Sequence, residues 1–245
     1  MRVIRCHLDA PLPVGETLAL PEDKSLHLLR VLRLREGDPV QLFNGDGANY
    51  PARIAGSAKK SVLLRVEGRE PLDNESPLAI TLLQGVARGD KMDLILQKAT
   101  ELGVRAIQPV LTERTEVKLD GERAERRLAH WRGVVAAACE QSGRTRLPTL
   151  AEARPLHEAL AALPDSARRL ILDPHRGRAL KALALDPAQP VVLVVGPEGG
   201  LGERDQRQLG LAGFEGVRLG PRVLRTETAG LAVLAALQAL YGDWV

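Results

Sequence analysis

Apolar and polar residues alternate through DPVQLFNGDGANYPARIAG (38–56), and the alternation breaks at Asn44-Gly45-Asp46-Gly47. Alternation of this kind marks half-buried strands, and Asn-Gly or Asp-Gly at the midpoint predicts a hairpin. KKSVLLRVEGRE (59–70) predicts a further strand. Ahead of the hairpin, KSLHLLRVLRLREGD (24–38) changes to helical spacing. Leu26, Leu29 and Leu32 predict a short helix, with Arg30, Arg33 and Arg35 beside its apolar stripe. These elements assemble most simply as a small β-barrel with a basic rim.

EPLDNESP (70–77) holds two prolines, acids and turn formers, and the patterning changes across it. It predicts a linker, with one domain over 1–72 and a second over 73–245. From Leu78 strands and helices alternate. LAITLLQGV, AIQPVL, RRLILD, VVLVV and GVRLG are the strands. GDKMDLILQKATELGV predicts a helix with Asp90 as N-cap and Gly103 just past its end. GERAERRLAHWRGVVAAACEQSG and RTETAGLAVLAALQALYG are further helices. Such alternation predicts an α/β domain with a parallel sheet covered on both faces.

Composition sharpens this in three ways. Of 245 residues 44% are hydrophobic, but there are only two Phe, two Trp and two Tyr, so the core is aliphatic. Net charge is +3 and the basic excess is mostly arginine. Arginine suits bidentate contact with phosphate, although the same composition also suits surface ion-pair networks. Cys6 and Cys139 are too few for a disulfide framework or a zinc site, so no metal is expected and a reducing cytoplasm fits. The N-terminus has no long apolar stretch of signal-peptide type, and no apolar run reaches membrane-spanning length.

Ligands of open parallel sheets bind beyond the carboxyl ends of the strands. Two turns there are unusual. VVGPEGGLGERD (194–205) follows the most apolar strand, and Gly196, Gly199, Gly200 and Gly202 allow close backbone approach. It is neither a GxGxxG fingerprint nor a P-loop. LGPRVLRTETA (219–229) turns at Gly220-Pro221, offers Val223 and Leu224, and starts a helix that Thr226 or Thr228 would cap. Each also reads as a plain turn. Side by side at one sheet edge, they would form a backbone-lined cleft with an apolar floor that suits adenine. CEQSGRTRLP (139–148) ends the long helix with Glu140, Gln141, Ser142, Arg144 and Arg146, and Glu101, Arg114 and Glu116 flank the next strand; solvated charge explains any single one of these.

GDKMDLILQKATELGV, PVLTERT, EQSGR, VGPEGGL and LGPRVLRTETA, in this order, resemble the bacterial ribosomal RNA small subunit methyltransferase E family, of the SPOUT class. HLLRVLRLREGD and LFNGDG fit its N-terminal domain, and the match is weakest over 149–190. The resemblance implies a PUA-like RNA-binding β-barrel followed by a SPOUT-type parallel sheet with a C-terminal trefoil knot. It implies S-adenosyl-L-methionine as cofactor, a homodimer, and methylation of N3 of one uridine in 16S rRNA, on free rRNA or the small ribosomal subunit. On this reading Gly196, Glu198 and Gly199 line one wall of the cofactor slot. Leu219, Gly220, Leu224, Arg225, Thr226, Thr228 and Ala229 line the other, and Leu172 closes it. Arg144 and Arg225 are candidates to stabilise the developing imide anion. Glu140 and Glu227 are candidate bases, with Glu198 a weaker one; equally, these acids only orient the arginines. Arg30, Arg33, Arg35, Lys59, Lys60 and Arg114 are candidates for RNA contact. Two other readings stay open: a non-catalytic RNA-binding or ribosome-assembly factor with a vestigial pocket, and a nucleotide-binding enzyme of ordinary doubly wound topology.

Overall fold

The structure, a computed structural model, describes residues 3–173 and 177–244. The chain divides into two compact units: residues 1–75 with 139–147, and residues 76–138 with 148–245.

In the N-terminal unit the strands are β1 (Ile4–His7), β2 (Thr17–Ala19), β3 (Pro39–Phe43), β4 (Ala48–Ala58), β5 (Ser61–Val66) and β6 (Glu70–Pro71). They pair in the order β1-β3-β4-β5-β2, with β6 on β4. β3 and β4 are the antiparallel hairpin expected around Asn44–Gly47, with Leu42 opposite Tyr50. Leu42, Val62, Leu64 and Val66 are fully buried and form the centre of the core. The helix expected over 24–38 is shorter and differently wound. A single helical turn, α1 (Glu22–Leu26), runs into a π-turn over His27–Val31, closed by Leu32 N–H on His27 O at 3.0 Å. The extra residue per turn rotates the apolar face. Ser25 and Leu28 therefore face the core, while Leu29 and Val31 are exposed.

The C-terminal unit holds an eight-stranded sheet whose pairs are all parallel. Its strands are β7 (Ile80–Gly85), β8 (Ala106–Leu111), β9 (Thr149–Leu150), β10 (Arg154–Pro155), β11 (Arg168–Leu172), β12 (Arg178–Ala179), β13 (Val191–Val195) and β14 (Glu215–Arg218). The order is β10-β8-β7-β13-β11-β14-β12, with β9 also on β8. The helices are α2 (Asp90–Glu101), α3 (Gly121–Ser142), α4 (Leu156–Ala161), α5 (Glu203–Leu211) and α6 (Thr226–Tyr241).

VVLVV shows why the sheet needs cover on both sides. Val191, Leu193 and Val195 face the core shared with α2, α3 and α6. Val192 and Val194 face the core shared with α4 and α5. A strand between two helical layers has no polar face, hence its unbroken apolar run. Gly89, not Asp90, is the N-cap of α2, and Gly103 follows its last turn with φ +80°.

α3 crosses the boundary between the units. Leu128, Trp131 and Val135 pack in the sheet core. Cys139–Leu147, expected within the second domain, belongs instead to the N-terminal unit. Glu140 accepts His7 N–H at 2.9 Å and Lys24 Nζ at 3.0 Å, and Asn74 Nδ2 donates to Gly143 O.

Candidate active site

A cavity of about 500 Å³ opens at the carboxyl ends of the central strands of the C-terminal unit. One wall is the turn after β13: Gly196, Pro197, Glu198 and Gly200. The opposite wall is the turn after β14 and the start of α6: Leu219, Gly220, Leu224, Arg225 and Thr226. Val195 and Val217 come from the strand ends, and Ala229 from the second turn of α6. The two turns are not neighbours at a sheet edge, as the sequence suggested. β11 lies between β13 and β14, and its last residue, Leu172, fills the space between the two walls.

Each wall is held from behind. Gly200 turns the first loop with φ +72° and closes it through its N–H on Pro197 O at 2.8 Å. The Glu198 carboxylate accepts Arg88 N–H and Lys91 Nζ, each at 3.1 Å. Burial alone would raise its pKa; hydrogen bonds from its own backbone, from Arg88 and from Lys91 outweigh this and hold it below the ordinary glutamate value. Glu198 is thus an ionised brace, and its lowered pKa makes it the weaker base the sequence suggested. Asp205, only 2% exposed, accepts Gly202 N–H at 2.9 Å and Glu113 N–H at 3.0 Å. A buried carboxylate satisfied by backbone donors anchors the loop where it enters α5. On the second wall, Thr226 Oγ1 donates to Gly196 O at 2.6 Å. This bond ties the two walls together.

Several expected residues lie elsewhere. Gly199 and Thr228 do not line the cavity. Gly199 O accepts Arg114 Nη1 at 3.0 Å, so Arg114, expected on RNA, braces the same loop. Thr228 is exposed, and its N–H closes the first turn of α6 on Arg225 O. Thr226 makes no capping bond either; its hydroxyl is spent on Gly196. Arg144 and Glu140 belong to the N-terminal unit. Arg144 is 5% exposed and its guanidinium forms a two-point ion pair with Glu75, Nε to Oε1 at 3.1 Å. The guanidinium is engaged by Glu75 and does not line the cavity. Glu140 is spent on His7 and Lys24. Glu101 pairs with Lys98, and Glu116 with Arg88.

Two candidates for the chemistry remain in the cavity. Arg225 is exposed at its mouth, and Glu227 lines it one residue into α6. Among the described residues Glu227 Oε2 is buried and accepts no hydrogen bond. The thiols play no part. Burial pushes Cys6 up to about 11 and Cys139 up to about 12, so both stay protonated at neutral pH.

Residues 74–238 match an RNA methyltransferase domain family, and residues 20–67 match an RNA methyltransferase PUA domain family. The chain belongs to the ribosomal RNA small subunit methyltransferase E family. A family relative from Synechocystis is 35% identical over 93% of this chain and 74% of its own. One from Mycobacterium tuberculosis is 31% identical over 97% and 92%. The family member from Neisseria gonorrhoeae, crystallised bound to S-adenosyl methionine, shares 44% identity over the whole of both chains with a TM-score of 0.94. A Legionella pneumophila protein solved with the bound cofactor SAM shares 36% identity, covers 99% and 100%, and has a TM-score of 0.93. The methyltransferase E match runs the full length of the chain. It therefore takes in both the β-rich unit and the cavity, and the SPOUT-type sheet with a PUA domain ahead of it is the architecture of this protein.

Proposed function

We propose that the protein transfers a methyl group from S-adenosyl-L-methionine to N3 of one uridine in 16S rRNA. One observation carries this. Two glycine-bearing turns, far apart in sequence, close around one cavity at the carboxyl ends of parallel strands. Its size lies within the usual range for small-molecule sites. Its apolar floor and backbone-lined walls suit an adenine and a ribose. Relatives that bind this cofactor share the chain's full length.

Gly196, Pro197 and Glu198 on one side, and Leu219, Gly220, Leu224 and Thr226 on the other, would hold the cofactor, with Leu172 and Ala229 closing the slot. The bound cofactor supplies an electrophilic methyl group on a sulfonium. The protein's residues have two tasks: to hold the uracil in line, and to manage the N3 proton. Glu227 Oε2, an acceptor without a partner, takes the proton. Arg225, exposed at the mouth, places positive charge at the O2 or O4 that gains it. Protonated Cys6 and Cys139 leave no thiolate route. This assignment replaces Arg144 and Glu140.

We extend the reading to the whole protein. Arg30, Arg33, Arg35 and Lys59 are exposed on the N-terminal unit and would contact RNA phosphates, together with Lys60, which shares an exposed pair with Glu22. β11 precedes β13 and β14 in the chain yet lies between them, which supports a trefoil knot in this stretch. Leu240 is half exposed on α6, beside a second cavity lined by Leu219, Pro221 and Ala236. This supports a homodimer with a second copy over that face. No described helix is long and apolar enough to cross a membrane, and we place the activity in the cytoplasm with its ribosomal substrate.

Labelled S-adenosyl-L-methionine, incubated with the protein and small ribosomal subunits lacking the modification, tests the reading. Mass spectrometry of 16S rRNA is expected to find one N3-methyluridine. Cofactor binding without methyl transfer would favour the non-catalytic RNA-binding factor instead.

A further inference from the structure

Gln84 sits at the end of β7, directly beside Val195 of β13. It is 0% exposed, on a strand whose other residues are chiefly aliphatic. An amide in such a place has to be accounted for, because an apolar side chain of the same volume would bury at lower cost.

Its hydrogen bonds account for it. Nε2 donates to Gly85 O at 2.9 Å and to Thr226 Oγ1 at 3.1 Å. Thr226 Oγ1 in turn donates its one proton to Gly196 O at 2.6 Å. Both groups that meet Nε2 are therefore acceptors, and the amide has only one orientation that fits. That orientation leaves Gln84 Oε1 buried without a hydrogen bond among the described residues. The protein leaves an acceptor unmet in order to keep the donor where it is.

What the donor holds is the separation of the two walls. Gly196 begins the first wall and Thr226 stands in the second. Both are tied to the same buried amide, directly or through one hydroxyl. The backbone of the next residue is packed just as closely. A Cβ on Gly85 would lie 2.5 Å from Pro197 N. The end of β7 is thus a common footing for both loops, although it lines no part of the cavity.

We propose that Gln84 is a positioning residue for the cofactor, a buried amide that fixes the width of the slot through Thr226 and Gly196. This rests on the cofactor reading of the cavity. The residue touches neither cofactor nor substrate. It acts by keeping the Thr226 hydroxyl turned toward Gly196 before any ligand arrives, so less ordering remains to be done on binding.

The test is a titration of S-adenosyl-L-methionine by calorimetry, with thermal unfolding of the same samples. Gln84→Met conserves volume and removes both hydrogen bonds and the unmet acceptor. It is expected to weaken cofactor binding about tenfold, the loss of roughly one hydrogen bond, while the unfolding midpoint stays level or rises. Thr226→Val is expected to weaken binding similarly. In the double variant the two losses are expected not to add, since each breaks the same chain of bonds. Unchanged affinity in Gln84→Met overturns the proposal. So does an affinity loss matched by a lower midpoint, which would make the role merely structural, and so do additive losses. A wild type that binds no cofactor refutes the reading of the cavity, and this proposal with it.

Discussion

Arg144 and Glu75 form an ion pair in which the arginine side chain is 6% and the glutamate 20% exposed. Cys139 also lies close enough to feel both charges. Removing one member of so enclosed a pair leaves the other charge desolvated, which costs more than the pair itself contributes. Arg144→Ala is expected to lower stability by about 3 kcal/mol, measured by urea unfolding. Glu75→Ala is expected to do the same, and the double variant to lose less than the sum. An Arg144→Ala protein that unfolds like wild type but has lost methylation would return Arg144 to the chemistry. The sequence offers Arg144 through the resemblance of EQSGR and, read locally, as one of several solvated charges after a helix end. What it lacked was the partner. Glu75 lies in a stretch that reads as linker, and nothing local says that a linker acid is paired with a residue after α3. Arg225 and Glu227 line the cavity because of the turn they stand in, and that turn is visible in the sequence.

At the scale of elements, legibility follows how locally each one is determined. β13 is apolar at every position because both its faces are covered, and the β3–β4 hairpin carries its own turn residues. Both could be read directly. α4 is six residues long, and β9, β10 and β12 are two residues each, too short for any period to emerge. The π-turn at His27–Val31 escaped because leucines at helical spacing assume the ordinary winding. The order of the strands escaped as well. The insertion of β11 between β13 and β14 brings Leu172 into the site, a position the family resemblance implied but no pattern within β11 announces. The same tight arrangement makes Gly85 a sensitive point. With a Cβ 2.5 Å from Pro197 N and Cδ, Gly85→Ala must push the Pro197 turn away. The expected cost is roughly 1–3 kcal/mol, read as a lower unfolding midpoint, together with weaker cofactor binding. An alanine variant with wild-type midpoint and affinity would show that the turn yields freely, and that its position is not what sets the slot.

Across the whole molecule, the proposed reading assigns the two kinds of binding to different parts of the chain. Every residue lining the cavity comes from the C-terminal unit. Arg30, Arg33 and Arg35 stand on the N-terminal unit, exposed, around the π-turn and the Arg33 backbone at φ +56°. Phosphate contacts of this sort act by releasing counterions, so their number appears as the slope of log affinity against log salt. Replacing all three arginines with glutamine is therefore expected to weaken binding to a single-stranded 16S rRNA fragment. The slope should fall by about 2, at roughly 0.7 per lost contact. Cofactor affinity in the same variant should match wild type, since none of the three reaches the cavity. A lower affinity with an unchanged slope would mean that the arginines support the fold of the π-turn without meeting phosphate. A loss of cofactor affinity as well would mean that the two units do not bind independently. The net charge of +3 decides little here; three exposed arginines within six residues of chain are what a polyanion would detect.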